Sequence, residues 1–203
     1  MRNKLIVFEG IDGVGKTTLS KILQDKLTEE GLKTIRYEDV EEKNTGFNQI
    51  KPFIKTEAPI DSSLLFYIAS AIYKSHQIEN LLKNNWVICD RYVYSTLAYH
   101  KIRNADLSLT ADIKKLPIRL PDFLFLIKVD EDIRLKRTKA RSGNNDYDLK
   151  VKTSKNLIGK MEREIEAFKP IIIDNSYLKP AEVVENIYKI INNGKLKISD
   201  QDK

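Results

Sequence analysis

The chain is nearly without the residues that build a covalent or metal-held framework. Cys89 is its single cysteine, so neither an internal disulfide nor a cysteine-rich metal site is available. It stands in an apolar run and reads as a small buried hydrophobe. Only His76 and His100 represent histidine, which argues against histidine-rich zinc chemistry. No apolar run approaches the roughly 18 residues that cross a bilayer. The start, Met1-Arg2-Asn3-Lys4, reaches only a handful of apolar residues before Glu9, too few for a secretory signal. A cytoplasmic protein is expected, with no membrane partner. A dense basic patch is also lacking. The net charge is +6, from 35 basic and 29 acidic residues spread along the chain. That balance suits small anionic substrates better than nucleic acid as the main partner.

What is present is a globular composition, 41% hydrophobic and 32% charged, long enough for one core. There is no repeat at a fixed period and no linker. Residues 1–193 are therefore expected as a single domain, with a frayed tail over 194–203.

Five apolar runs read as strands: Leu5 to Phe8, Thr34 to Tyr37, Trp86 to Cys89 ending at Asp90, Phe123 to Val129, and Pro170 to Ile173. Helical spacing runs from Lys16 to about Glu30, with Leu19, Ile22, Leu23 and Leu27 on one face and Gly31 as the stop. The stretch from Glu38 to Pro59 is polar, with a short helix expected near Phe47 to Ile54. Asp61-Ser62-Ser63 is expected to cap a long helix to about Asn84. Further helices are expected over Tyr92 to Ile102, in a short piece before Leu116, and over Glu131 to Arg141, Leu149 to Phe168 and Pro180 to Ile191. Strands alternating with helices predict an α/β fold, a parallel sheet with helices on both faces.

The turn after the first strand carries the chemistry. Gly10-Ile11-Asp12-Gly13-Val14-Gly15-Lys16-Thr17 fits G-x-x-x-x-G-K-[ST]. Glycines let successive N–H groups face phosphate oxygens, and the following helix adds its positive end. Lys16 reaches β- and γ-phosphates, and the Thr17 hydroxyl suits Mg²⁺. The pattern points to a nucleoside triphosphate.

Three further features have two readings each. Asp90, at the end of an apolar strand, is a Mg²⁺ ligand or the cap of the next helix. Arg91 grips a phosphate at the sheet edge or forms a surface salt bridge. Arg134, Arg137 and Arg141 share a helical face that runs into the turn at Ser142 to Asp146. That face belongs to a lid carrying arginines onto the transferred phosphoryl group, or it is simply solvated.

Together these residues resemble a known family. Phe8-Glu9-Gly10-Ile11-Asp12-Gly13-Val14-Gly15-Lys16-Thr17-Thr18, Leu64-Leu65-Phe66, Asp90-Arg91-Tyr92, Ser95-Thr96-Leu97-Ala98-Tyr99 and Pro121-Asp122 are similar in order and spacing to thymidylate kinases. The resemblance implies a five-stranded parallel sheet of the P-loop nucleoside monophosphate kinase type. It implies Mg²⁺-ATP as donor, a nucleoside monophosphate, most directly dTMP, as acceptor, and a homodimer.

By the same resemblance Asp12 approaches the acceptor's sugar hydroxyl and phosphate. Phe66 stacks on the base, Arg91 holds the acceptor phosphate, Ser95 and Thr96 belong to the motif beside the base edge, and Tyr99 packs where a 2′-hydroxyl would project. The loop interior, Ile11 to Val14, carries no basic residue. The implied lid, about 138–149, then supplies the charge through Arg137 and Arg141. Three positions depart from the family. Arg36-Tyr37-Glu38-Asp39-Val40 stands in place of Arg-Glu-Pro. Ser70 stands where an arginine bonds thymine, with Lys74 one turn on as a substitute. His100 follows Tyr99 where glutamine is usual.

Overall fold

Alternation along the first strand sets the architecture. In the computed structural model, which describes residues 2–41, 46–105, 113–142 and 155–199, β1 (Leu5–Glu9) is buried at every position. Its side chains point alternately to the two faces. Ile6 and Phe8 pack with Leu19, Leu23 and Leu27 of α1 (Lys16–Glu29) and with Val183, Val184 and Ile187 of α8 (Pro180–Ser199). Leu5 and Val7 face the opposite layer, with Leu64 and Ile68 of α4 (Ile60–Leu82) and Val93 and Leu97 of α5 (Val93–Lys101).

The other strands are β2 (Thr34–Arg36), β3 (Trp86–Asp90), β4 (Phe123–Lys128) and β5 (Ile171–Asp174). All pair in parallel, in the order β2-β3-β1-β4-β5. The expected five-stranded parallel sheet is therefore present. β1 lies between β3 and β4, so chain direction across the sheet reverses there. A crevice opens at such a switch point, beyond the carboxyl ends of the strands.

Several boundaries differ from expectation. β2 stops at Arg36, and Tyr37 begins a one-turn helix, α2 (Tyr37–Val40). Its phenol donates to Gln77 of α4, so Tyr37 is buried by tertiary contact rather than by extending the strand. The short helix near Phe47 is α3 (Gly46–Thr56). α4 starts earlier than expected. Pro59 occupies its N-cap, and Asp61-Ser62-Ser63 lie inside the first turn, where Asp61 faces the positive helix end.

A 3₁₀ turn covers Ile113–Lys115. α6 (Glu131–Ser142) and α7 (Lys155–Glu166) follow. Of the lid expected at 138–149, residues 138–142 are the end of α6 and 143–149 lie outside the described residues. So do 149–154, expected as the start of α7. α7 ends at Glu166, and Lys169 adopts a positive φ of 56°. α8 continues past Ile191 and takes 194–199, expected to fray, into the helix. Among the described residues no helix is long and apolar enough to cross a membrane.

Candidate active site

The phosphate loop between β1 and α1 is held by what lies behind it. Gly13 and Gly15 have φ of 90° and 95°, the left-handed region that glycine enters without strain. They also lack room for a side chain. A Cβ on Gly13 would stand 2.5 Å from Thr138 Oγ1, and one on Gly15 2.6 Å from Asn175 Nδ2. Asn175 is buried and donates to Val14 O at 2.7 Å. Ile11 and Val14 anchor the loop in the core.

Lys16 is buried, with Nζ 3.0 Å from Ile11 O. Burial, and then the charge of Arg91, lower its pKa to about 8. Thr17 and Thr18 are exposed at the start of α1. The Thr17 hydroxyl donates to Asp90 Oδ2 at 2.8 Å.

Pairing of β3 with β1 sets Asp90 beside Phe8. Asp90 does not cap the next helix: α5 begins at Val93, with Tyr92 in the N-cap position. Arg91 has a positive φ of 68°. Its N–H donates to Phe8 O at 2.8 Å, and its guanidinium meets Asp12 Oδ1 at 2.6 Å. The loop of β1 and the edge of β3 are thus joined across the crevice. Both side chains remain partly exposed, 32% and 54%, and an ion pair so exposed adds little stability. What the pair does is fix position.

Two arginines of α6, Arg134 and Arg137, are engaged by protein groups. Arg134 is buried. It binds Glu131 through Nε and Nη2, each at 2.8 Å, and donates through Nη1 to Asp12 O at 3.3 Å. Arg137 donates to Asn175 O at 3.1 Å. Both turn toward the outside of the phosphate loop. Arg141 lies in the last turn of α6, and its side chain is outside the described residues.

α4 and α5 form the other wall. Phe66 sits 5.6 Å, ring to ring, from Phe47 of α3. Ser70 lines a groove with Phe47, Tyr73 and Lys74. Lys74 does not fold back over Ser70: Nζ donates to Arg91 O at 3.0 Å and stands 4.4 Å from the Tyr37 ring centre. Its stem lines the groove while its ammonium is drawn away to the Arg91 carbonyl. Thr96 and Tyr99 are half-buried on α5. Arg103 donates to the Tyr99 phenol at 2.7 Å.

His100 Nδ1 lies 2.7 Å from Thr96 O and Nε2 lies 3.1 Å from Ser63 Oγ. The carbonyl requires a proton on Nδ1, so Nε2 accepts from Ser63 and the ring ties α5 to α4. Burial lowers its pKa, which favours the neutral ring. Ser95 is buried, with its N–H 3.3 Å from Glu9 Oε1, so it faces Glu9 beneath the crevice.

A family model described as thymidylate kinase matches residues 8–187. The chain belongs to the thymidylate kinase family. It is 32% identical over 195 residues to a probable thymidylate kinase of Methanocaldococcus jannaschii, covering 94% of this chain and 97% of the relative. Against a probable thymidylate kinase of Pyrococcus abyssi it is 29% identical over 200 residues, with the same coverages. Among solved structures, the thymidylate kinase of Candida albicans superposes with a TM-score of 0.68 at 21% identity, covering 96% of this chain and 93% of that one. The fold is therefore that of the P-loop nucleoside monophosphate kinases. The family match takes in the phosphate loop, Asp90-Arg91 and the wall of α4 and α5.

Three residues around the crevice, Glu9, Glu38 and Asn175, are given no role by the sequence, and Arg134 is given a different one. Glu9 is fully buried, and its Oε1 accepts from Tyr92 N at 2.8 Å. An acid closing an apolar strand was a usable signal, as it was for Asp90. Glu38 Oε1 accepts from Asp90 N at 2.8 Å. Asn175 and Arg134 brace the phosphate loop from behind. No local pattern announces these two contacts with the loop, which join residues more than 120 positions apart.

Proposed function

We propose that this chain transfers the γ-phosphoryl group of Mg²⁺-ATP to thymidine monophosphate, giving the diphosphate. The observation that carries the reading is the 2.6 Å contact between Asp12 of the phosphate loop and Arg91 at the edge of β3. It brings a donor-binding loop and an acceptor-side cation to one crevice. Transfer of this kind depends on positioning and on charge set against the transferred group.

Loop N–H groups from Gly10 to Thr18 and the Lys16 ammonium hold the β- and γ-phosphates. Thr17 Oγ1 and Asp90 Oδ2, 2.8 Å apart, are hard oxygen donors of the type Mg²⁺ takes, with phosphates and water completing its shell. When bound, the metal draws negative charge from the phosphates. Arg91 grips the acceptor phosphate, and Asp12 holds that guanidinium and meets the acceptor's sugar. Phe66 stacks on the base, Thr96 lies at its edge and Tyr99 at the sugar. Ser95 contributes by holding α5 to Glu9. Arg137 and Arg141 supply lid charge, since Ile11-Asp12-Gly13-Val14 contains no basic residue. A homodimer in the cytoplasm belongs to the same reading. Ile50 and Phe53 on α3 and Leu65 on α4 are exposed apolar side chains available to it.

A second reading, the same chemistry with a wider range of acceptors, is favoured by Ser70, a short uncharged side chain where the family carries an arginine. The purified protein, given ATP, Mg²⁺ and each monophosphate in turn, should phosphorylate thymidine monophosphate, and Lys16→Ala should lose most of that turnover with the fold intact. No turnover with any monophosphate, or near-normal turnover by Lys16→Ala, would sink the proposal.

A further inference from the structure

Arg91 is held in a backbone region that side chains other than glycine enter only under constraint. With φ at 68°, its peptide is pinned on both sides. The N–H is taken by Phe8 O at 2.8 Å. The carbonyl receives two donors, Lys74 Nζ at 3.0 Å and Cys89 Sγ at 3.0 Å. Lys74 is itself fixed, with Glu38 Oε1 at 3.7 Å and the Tyr37 ring beneath its ammonium at 4.4 Å. Glu38 Oε1 also takes the N–H of Asp90 at 2.8 Å. One carboxylate and one ammonium, from α2 and α4, thus hold the two peptides flanking the Asp90-Arg91 step.

We infer that Lys74, held by Glu38 and Tyr37, is a positioning residue that sets the turn at Arg91 and so aims its guanidinium at the acceptor phosphate. The inference rests on the proposed role of Arg91. Two of its parts, Tyr37 and Glu38, come from the stretch that departs from the family's Arg-Glu-Pro, and the third sits one turn beyond the Ser70 departure. A charged donor holds a carbonyl more firmly than a neutral one. The thiol of Cys89 alone is a weak donor. With Lys74 gone, the Arg91 peptide is free to relax toward ordinary β geometry. The guanidinium then leaves Asp12, while the phosphate loop, braced from the other side by Asn175 and Arg134, stays as it is.

The test is a double-mutant cycle on the full chain, read by steady-state kinetics with ATP and thymidine monophosphate. Lys74→Met should raise the acceptor KM about tenfold or more, with the KM for ATP changed by less than about twofold. In an Arg91→Ala background the same substitution should add nothing, because orientation matters only while the guanidinium is there. A lysine that merely stabilised the fold would move both KM values and would add its effect to that of Arg91→Ala. An unchanged acceptor KM in Lys74→Met, or full additivity in the double variant, overturns the inference. If Arg91→Ala itself leaves the acceptor KM unchanged, the role given to Arg91 falls and the inference falls with it. Should Lys74→Met not fold, Glu38→Gln is the variant to read. It keeps an acceptor for Asp90 N and removes the charge that holds Lys74. A rise of about threefold in acceptor KM, again absent with Arg91→Ala, supports the inference, and no change overturns it.

Discussion

Lys16 meets two demands that conflict: its stem is buried while its charge is needed at the phosphates. Burial, with the Arg91 charge behind it, lowers its pKa from 10.5 to about 8. In the free enzyme the amine loses its proton as pH passes 8, and above that ATP meets a neutral group. Bound polyphosphate restores the proton, since an adjacent negative charge favours the ammonium. The value of kcat/KM for ATP should therefore fall above about pH 8, while kcat, which reports the bound state, stays level to higher pH. Stability moves the other way. Between the two values the unfolded chain binds the proton more readily than the folded one, so the penalty for burying Lys16 lifts as pH rises from 8 toward 10.5. A pH–rate profile checks the first point. A kcat/KM that stays flat to about pH 9.5 would mean that Lys16 keeps an ordinary pKa.

Helix α5 is started by a neighbouring strand rather than by its own residues. Tyr92 at the N-cap offers no side-chain cap. Glu9 of β1 supplies the acceptor instead, through Oε1 to the N–H groups of Tyr92 and Ser95. Glu9→Ala leaves both groups buried without that partner, at a cost of about 1–3 kcal/mol. Burial raises the pKa of Glu9, so a neutral side chain is no burden there, and Glu9→Gln should stay within about 1 kcal/mol of wild type. Urea unfolding of both variants decides it, and a Glu9→Ala protein as stable as wild type would show that α5 is capped by other means. Helix starts mark the limit of sequence reading. The strands were legible because apolar runs closed by turn residues have few alternatives, and the phosphate loop because its glycines answer a local demand. Where α4 starts was not legible: Asp61-Ser62-Ser63 has cap chemistry, but Pro59 takes the position. The spacing of Arg134 and Arg137 showed that they share a face, yet only the packed fold shows what that face meets. The place of Lys74 one turn past Ser70 suggests a substitute for the missing arginine, but its ammonium is held by Arg91 O and Glu38.

Across the whole molecule, the switch point at β1 gathers the phosphate loop and Asp90-Arg91, and the proposed function assigns the wall of α3, α4 and α5 to the acceptor. That wall carries a cluster of aromatic rings. Phe47 lies 5.6 Å from Phe66 and 5.5 Å from Tyr73, and stacking surfaces accept any base. On the proposed reading, hydrogen bonds to the base come from Ser70 and Thr96, since the Lys74 ammonium is held by Arg91 O. A charged hydrogen bond of the kind an arginine would give is worth about 1.5–3 kcal/mol, or roughly ten- to a hundredfold in discrimination. Thymidine monophosphate should therefore be preferred over dCMP and dGMP by less than an arginine-bearing pocket would allow. Ser70→Arg should sharpen the preference by about tenfold, as ratios of kcat/KM would show. The gain has a steric condition, because an arginine at 70 enters the groove that Phe47 also lines. Trimming that ring in Ser70→Arg/Phe47→Ala should release more of the gain than Ser70→Arg alone, unless lost stacking lowers every acceptor together. Lost stacking would lower kcat/KM for all three acceptors and leave their ratios unchanged, so the ratios separate the two effects. A wild-type enzyme that already rejects dCMP and dGMP by about a thousandfold would defeat this account and would place base reading in a residue other than Ser70 and Thr96.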